Sequence, residues 1–186
     1  MPGGIPPGER EALLALARTA IGTYLREHRE LVRGRDFAPI ASEERGAFVS
    51  LHTPEGELRG CIGSILPAGP LDATVAQMAV CAAVEDPRFP PVEPGELDGL
   101  RIEISALTVP ERVWDVEAIE IGRHGLIVSR GRNKGLLLPQ VAPEWGWDRI
   151  QLLEHTCRKA GLPANAWQEP GTTIEWFEAE VWGEKP

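Results

Sequence analysis

Hydrophobic residues recur at helical spacing in three parts of the chain. Apolar side chains in residues 9–32 return every three or four positions, with charged residues between them, which predicts an amphipathic helix. A second such pattern covers residues 71–84 and stops before Pro87, because proline disfavours the helical conformation in the residue that precedes it. A third helix is predicted to begin at Asp148, a favourable N-cap, and to end at Gly161. Its apolar stripe is formed by Ile150, Leu153, Cys157 and Ala160.

Strand patterns alternate with these helices. Residues 46–52 and 58–65 flank a short connection that contains a glycine, and this arrangement predicts a β-hairpin. Elsewhere, apolar and polar residues alternate, or short apolar runs are separated by glycine-rich turns. These segments predict a strand at 100–109, a meander of short strands at 118–121, 126–128 and 136–138, and a last strand at 172–182.

The order of these elements predicts the fold class. Helices interspersed with hairpin-joined strands favour an α+β fold with mostly antiparallel sheets and flanking helices, while a parallel doubly wound sheet is the weaker alternative. The 186 residues suit one domain or two small lobes. We expect a smaller lobe of residues 113–164, made of the meander and the third helix, and a larger lobe of residues 1–112 plus 165–186.

Composition and charge exclude several classes of protein. A hydrophobic fraction of 42% is typical of a globular chain, so we expect a folded protein. The net charge of −9, without a basic run, argues against binding to nucleic acid. No apolar stretch approaches the ~20 residues that cross a bilayer, so no contact with a membrane is expected. The N-terminal segment MPGGIPPGER has no secretory signal pattern, and we expect a cytoplasmic protein.

The cysteines and histidines do not form a known metal motif. Three widely spaced cysteines predict thiols rather than a disulfide framework or a zinc knuckle. The four histidines show neither HxH nor HExxH spacing. We therefore expect no metal and no other cofactor.

The segment LRGCIG at residues 58–63 carries the main candidate chemistry. If the hairpin closes symmetrically, Ser50 lies opposite Cys61 and His52 lies opposite Arg59, all on one face of the sheet. A guanidinium beside a thiol stabilises the thiolate, and an imidazole can accept its proton. The alternative is that Cys61 is a small buried hydrophobic residue. Val49, Leu51 and Ile62 are predicted to face the core.

Glycines and a proline-rich loop add further candidates. Gly60 and Gly63 predict close approach of a ligand or of another backbone segment. In the loop DPRFPP, Arg88 could bind an anionic group that Asp86 orients. The other interpretation is that both side chains bond backbone groups of the turn.

The motifs LRGCIG, DPRFPPV, EISALTVPE, HGLIV, GLLLPQVAPEWGWD and HTCRKAGLP, in this order, resemble those of the AMMECR domain family. Its prokaryotic members are called AmmeMemoRadiSam system protein A. The resemblance covers residues 12–180 and implies a two-lobed α+β protein with antiparallel sheets, both chain ends lying in the larger lobe. It also implies a genomic association with a Memo-like protein, related to nonheme-iron dioxygenases, and with a radical SAM protein. Both are partners to test.

The resemblance also selects functional residues. It marks residues 58–63 as the functional strip and prefers His124, in a turn of the HGL type, to the other histidines. The alternative for His124 is a surface turn residue. We expect Cys61 to act as a nucleophile or redox thiol in a cleft between the lobes. Around it, a small anionic molecule would be bound by Arg59, Gly60, Gly63, Asp86 and Arg88.

Two other functions compete with this hypothesis. The first is a noncatalytic binding or adaptor module that serves the radical SAM and Memo-like pair. The second is a purely structural interaction domain, in which Cys61 is buried and inert.

Overall fold

The computed structural model describes residues 4–185. Within them the chain forms four α-helices and two four-stranded antiparallel sheets, which confirms the α+β class. Residues 1–3, part of the segment in which no secretory signal is expected, and residue 186 lie outside the described residues. The helices are α1 (Pro7–Glu27), α2 (Leu71–Val84), α3 (Val141–Trp145) and α4 (Arg149–Lys159). The strands are β1 (Ala47–His52), β2 (Leu58–Ser64), β3 (Arg101–Leu107), β4 (Glu111–Arg112), β5 (Gly125–Arg130), β6 (Asn133–Leu137), β7 (Thr173–Phe177) and β8 (Ala179–Gly183).

Contacts within the chain divide it into two units, each with its own hydrophobic core. The first unit comprises Met1–Leu107 and Glu180–Pro186, and the second comprises Thr108–Ala179. No helix among residues 4–185 has the length and apolar character needed to cross a membrane.

The first unit is built on a sheet with the strand order β2-β1-β3-β8. Helix α2 packs against β1 and β2, while α1 packs against α2 and β3. Val49 and Leu51 are fully buried, and Ile62 packs against the same core. This confirms the predicted core face of the hairpin. Side chains at the alternate positions of β1 point to the opposite face of the sheet.

The hairpin register differs from the prediction at one end. Ser50 pairs with Cys61 as predicted, but His52 lies opposite Leu58, not opposite Arg59. The register shifts after Leu51, so β2 carries one extra residue, Arg59, at this point. A bulge of this kind redirects a side chain, and a symmetric closure of the turn could not show it.

Two other elements differ from the predicted ones. Helix α1 ends at Glu27 instead of continuing to residue 32, because His28 adopts a left-handed conformation (φ 51°) that stops the helix. Residues 118–121 do not form a strand. A 3-10 turn, Val116–Ala118, includes the first of them, and the carbonyl of Ile119 accepts a hydrogen bond from the Arg149 guanidinium instead of from a strand partner.

The predicted last strand is two strands in different sheets. β7 lies between β4 and β5, whereas β8 joins the sheet that contains LRGCIG. The chain changes sheet around Glu178, whose backbone bonds both the N–H and the hydroxyl of Thr108. The Thr108 hydroxyl thus accepts the hydrogen bond that the Glu178 N–H would otherwise donate to a neighbouring strand.

The second unit has the strand order β4-β7-β5-β6, with α4 packed on β5 and β6. Asp148 caps α4 as predicted, since its carboxylate accepts from the Gln151 N–H while the Gln151 side chain accepts from the Asp148 N–H. Three residues of the predicted stripe are buried, but Ile150 is 41% exposed and Leu152 takes its place in the core.

Candidate functional site

A row of polar side chains crosses the sheet of the first unit. Ser50 on β1 lies opposite Cys61 on β2 and opposite Glu103 on β3. Directly opposed residues project to the same side of a sheet, so these three side chains share one face. We call Cys61, Ser50 and Glu103 the polar row. It lies on the face opposite to that of Val49 and Leu51, which contribute to the core.

The Cys61 thiol is half-buried and hydrogen-bonded. The Ser50 hydroxyl donates to Cys61 Sγ at 3.1 Å. The sulfur is thus positioned by its neighbour while part of the residue remains accessible.

The backbone of Cys61 is held by the loop that follows α2. The Cys61 N–H donates to Asp86 Oδ2 at 2.8 Å, and Arg88 Nη2 lies 3.4 Å from the Cys61 carbonyl oxygen. Because β2 is an edge strand, these groups have no strand partner on that side. The pair of Asp86 and Arg88 supplies the acceptor and donor that a neighbouring strand would supply.

Asp86 and Arg88 also bind each other. Arg88 Nε and Nη2 donate to the two oxygens of the Asp86 carboxylate at 2.9 and 2.7 Å. These bonds hold the pKa of the Asp86 carboxyl well below its usual range. The bonds to Asp86 also raise the pKa of Arg88, and interaction with Cys61 acts in the same direction. The Arg88 side chain is 55% exposed, so a positive charge lies accessible beside the Cys61 strand.

Arg59 is directed away from this chemistry. Its guanidinium forms two bonds of 3.1 Å with the Glu96 carboxylate, and it also donates to the carbonyls of Pro90 and Pro91. Only 14% of its side chain is exposed. The bulge in β2 thus directs Arg59 to the loop 90–96, where it joins that loop to the sheet.

The two glycines of the strip leave space that other atoms of the protein fill. A Cβ atom on Gly60 would lie 2.2 Å from the carbonyl oxygen of Ala82 in α2. One on Gly63 would lie 2.3 Å from the Phe48 ring. Close approach of another backbone segment, one of the two predicted reasons, accounts for Gly60. At Gly63 an aromatic ring, which was not predicted, fills the space.

His124 lies in the second unit, whereas the polar row lies in the first unit. It is 5% exposed, its Nδ1 accepts from the Glu120 N–H at 3.0 Å, and its ring packs on Trp176. Burial lowers the pKa of His124, with a smaller effect of the Arg123 charge. These contacts give the imidazole a place in a packed turn.

The other two cysteines differ from Cys61 in their surroundings. Burial, followed by a hydrogen bond with Glu85, raises the pKa of Cys81 to about 11. Burial also raises the pKa of Cys157, which lies in the core of the second unit. Both thiols are therefore neutral near pH 7.

Glu103 is absent from the candidate site predicted from the sequence. It lies on the polar row because β1 pairs with β3, and its Oε1 is 4.0 Å from His52 Nε2. The alternation in residues 100–109 already indicates that Glu103 shares a face with Arg101 and Ser105. The missing information was the pairing of β1 with β3, which lie about fifty residues apart in the chain. Within residues 4–185, no three His, Cys, Asp or Glu side chains cluster closely enough to hold a metal ion.

Comparison with known proteins assigns the family. A sequence model of the AMMECR1 family matches residues 14–182. The chain is 47% identical to a protein of Thermococcus gammatolerans over 184 residues, covering 94% of this chain and 90% of that relative. It is 45% identical to protein PF1979 of Pyrococcus furiosus, covering 94% of this chain and 88% of the relative. The crystal structure of the uncharacterized protein PH0010 from Pyrococcus horikoshii matches with a TM-score of 0.86 and 43% identity, covering 97% of this chain and 94% of that one. The chain therefore belongs to the AMMECR1 family.

Proposed function

We propose that this protein handles a small anionic molecule at the polar row, with Cys61 as the reactive thiol and Arg88 as the cation that attracts the anion. One observation carries the proposal: the half-buried Cys61 accepts a hydrogen bond from Ser50 on its sulfur, and the accessible Arg88 guanidinium lies 3.4 Å from its carbonyl oxygen. Hydrogen-bond donors and nearby positive charge are the features that distinguish reactive cysteines from structural ones.

The surrounding contacts support distinct roles for the residues. Asp86 fixes the backbone of Cys61 and two nitrogens of Arg88, so it acts as a positioning residue. Arg88 Nη1 has no hydrogen-bond partner among the described residues and is the donor that remains for a bound anion. Ser50 positions the Cys61 sulfur through its hydrogen bond. Arg59, Gly60, Gly63 and His124 have structural roles in this proposal because protein atoms already occupy their surroundings.

Retention of small molecules by the purified protein tests this function. Immobilised wild-type protein, Arg88→Gln and Arg88→Lys are incubated with a cell extract, washed, and analysed by mass spectrometry for bound anions. We expect anions on the wild type that Arg88→Gln loses and Arg88→Lys partly retains, because lysine keeps the charge but not the two-nitrogen contact with Asp86.

Covalent chemistry is tested by a second pair of variants. An adduct on Cys61 should appear in wild type and in Cys81→Ser, the matched control, but not in Cys61→Ser. Equal retention by wild type and Arg88→Gln, with no adduct in any variant, would contradict the proposal. The noncatalytic binding or adaptor function would then replace it.

A further inference from the structure

A cavity of about 210 Å³ opens in the first unit, at the end of the sheet where the hairpin turn lies, and it shares Glu103 with the polar row. Strand β1 contributes His52, β3 contributes Arg101 and Glu103, and the turn contributes Gly56. Ile102, Gly183 and Glu184 complete the lining. At about 30 Å³ per water molecule, this volume corresponds to roughly seven waters, which suits a small metabolite rather than a large cofactor.

Two nitrogen atoms beside this cavity lack hydrogen-bond partners. They are His52 Nε2 and Arg101 Nε, the only such buried side-chain atoms among the described residues. Their residues lie directly opposite each other on β1 and β3. Leaving a buried polar group unpaired costs about 1–3 kcal/mol, so two at one place indicate that a hydrogen-bonding partner is missing there.

The charge of Arg101 is also uncompensated. Its Nη2 donates to the carbonyls of Thr53 and Pro54, which hold the guanidinium over the hairpin turn, but no carboxylate of residues 4–185 lies within 4.0 Å of it. Among the described arginines, the others without a carboxylate partner are exposed on the surface, whereas Arg101 is partly buried. They are Arg26, Arg112 and Arg132.

The acidic residues of the cavity do not balance this charge. Glu184 is engaged by Arg18, through Nε at 3.0 Å and Nη2 at 2.5 Å, and by the Ile102 N–H. Glu103 points its carboxylate to His52 at 4.0 Å, and 44% of its side chain is exposed. Arg101 is left as the cation that faces the cavity without a partner.

We propose that this cavity binds a small oxyanion, the carboxylate or phosphate group of a metabolite, against Arg101 and His52. Arginine Nε–H only donates, so its partner must be an acceptor, and an anion also neutralises the guanidinium. Both residues line the cavity, and their two unpaired nitrogens are buried in the structure. Nothing in this argument depends on Cys61, so the site stands whether or not the thiol is reactive.

Titration of the intact protein, followed by amide NMR, tests the site. Sodium acetate and inorganic phosphate are added separately, with sodium chloride keeping the ionic strength constant. We expect saturable shifts of the Gly56, Ile102 and Gly183 amides with a dissociation constant in the range of about 1–10 mM. Saturation by acetate alone assigns a carboxylate, and saturation by phosphate alone assigns a phosphate. Either result, or both together, supports an oxyanion site.

Two variants, one that removes a positive charge and one that removes a negative charge, distinguish anion binding from a purely structural role of Arg101. Arg101→Gln should weaken anion binding by about tenfold or more, since a charged hydrogen bond is lost. Glu103→Gln should strengthen anion binding by about threefold, because a like charge beside the anion is removed. The matched controls, Arg132→Gln and Glu111→Gln, should bind as wild type does.

Two results would overturn the site. One is the absence of any saturable shift in wild type up to about 100 mM of either anion. The other is an equal affinity in wild type and Glu103→Gln together with an unchanged affinity in Arg101→Gln. Glu103→Gln remains informative even if Arg101→Gln fails to fold, because the exposed Glu103 side chain does not brace the turn.

Discussion

At the scale of single residues, Asp86 connects three parts of the candidate site. Its carboxylate binds the Cys61 N–H, the Arg88 N–H and the Arg88 guanidinium, and the residue is buried. Replacing Asp86 by Asn leaves one buried oxygen where two are used and places an amide donor against other donors. We expect a loss of about 2 kcal/mol in the free energy of unfolding at pH 7, measured by urea titration.

The lowered pKa of Asp86 also predicts how the stability of the protein depends on pH. The pKa of Asp86 is lowered by its bonds with Arg88, and that of Glu96 is lowered by the Glu93 N–H and by Arg59. A carboxyl whose pKa is lower in the folded than in the unfolded protein stabilises the fold when the pH is above the pKa of the unfolded state. This contribution is lost as the pH falls below about 4. We expect a smaller acid-induced loss of stability in Asp86→Asn than in wild type, with Asp98→Asn, an exposed site, behaving as wild type. Equal losses in all three would contradict this assignment.

Much of the residue-level site follows from alternation alone. The pairing of Ser50 with Cys61 and the core position of Val49 and Leu51 could be predicted because both depend on local hairpin geometry. The position of Arg59 could not, because a one-residue bulge redirects its side chain to Glu96. The position of Glu103 depends on a pairing between distant strands, which no local pattern specifies.

At the scale of elements, β2 and α2 are joined by backbone contact at Gly60. A methyl group there would lie 2.2 Å from the Ala82 carbonyl oxygen, and a helix backbone cannot move aside as a flexible side chain can. Gly60→Ala should therefore cost about 2–3 kcal/mol in the free energy of unfolding. Gly95→Ala is the matched control, since its added methyl group would meet no atom within 4 Å. Equal stability of the two variants would show that β2 and α2 can separate without cost.

The boundaries of elements were predictable where capping residues are specific, as Asp148 shows for α4. They were not where an end depends on one residue's conformation or on a distant partner. His28 ends α1 through a left-handed backbone, although histidine has no strong preference for that role. The division of residues 172–182 into β7 and β8 depends on Thr108, about seventy residues earlier.

At the scale of the whole molecule, the second unit is a continuous segment of chain, and its ends are hydrogen-bonded through Thr108 and Glu178. We expect a fragment of residues 108–179 to unfold cooperatively in thermal denaturation followed by circular dichroism. The limits predicted from sequence, 113–164, define a shorter fragment that lacks β4 and β7, two strands of the sheet. That fragment should show no cooperative transition. The reverse result would mean that β4 and β7 are not needed for the unit to fold.

The central claim, that Cys61 is the reactive thiol, is tested most directly by the rates at which the three cysteines react with iodoacetamide in the native protein at pH 7. Peptide mapping by mass spectrometry gives each rate in one sample. The account predicts that Cys61 reacts fastest, because Ser50 positions its sulfur and the Arg88 charge lies beside its strand, while burial raises the pKa of Cys81 to about 11 and also raises that of Cys157. Ser50→Ala should slow Cys61 alone. If Cys61 is instead as protected as Cys81 and Cys157, the residue is a packing element of the sheet, and the proposed thiol function is wrong.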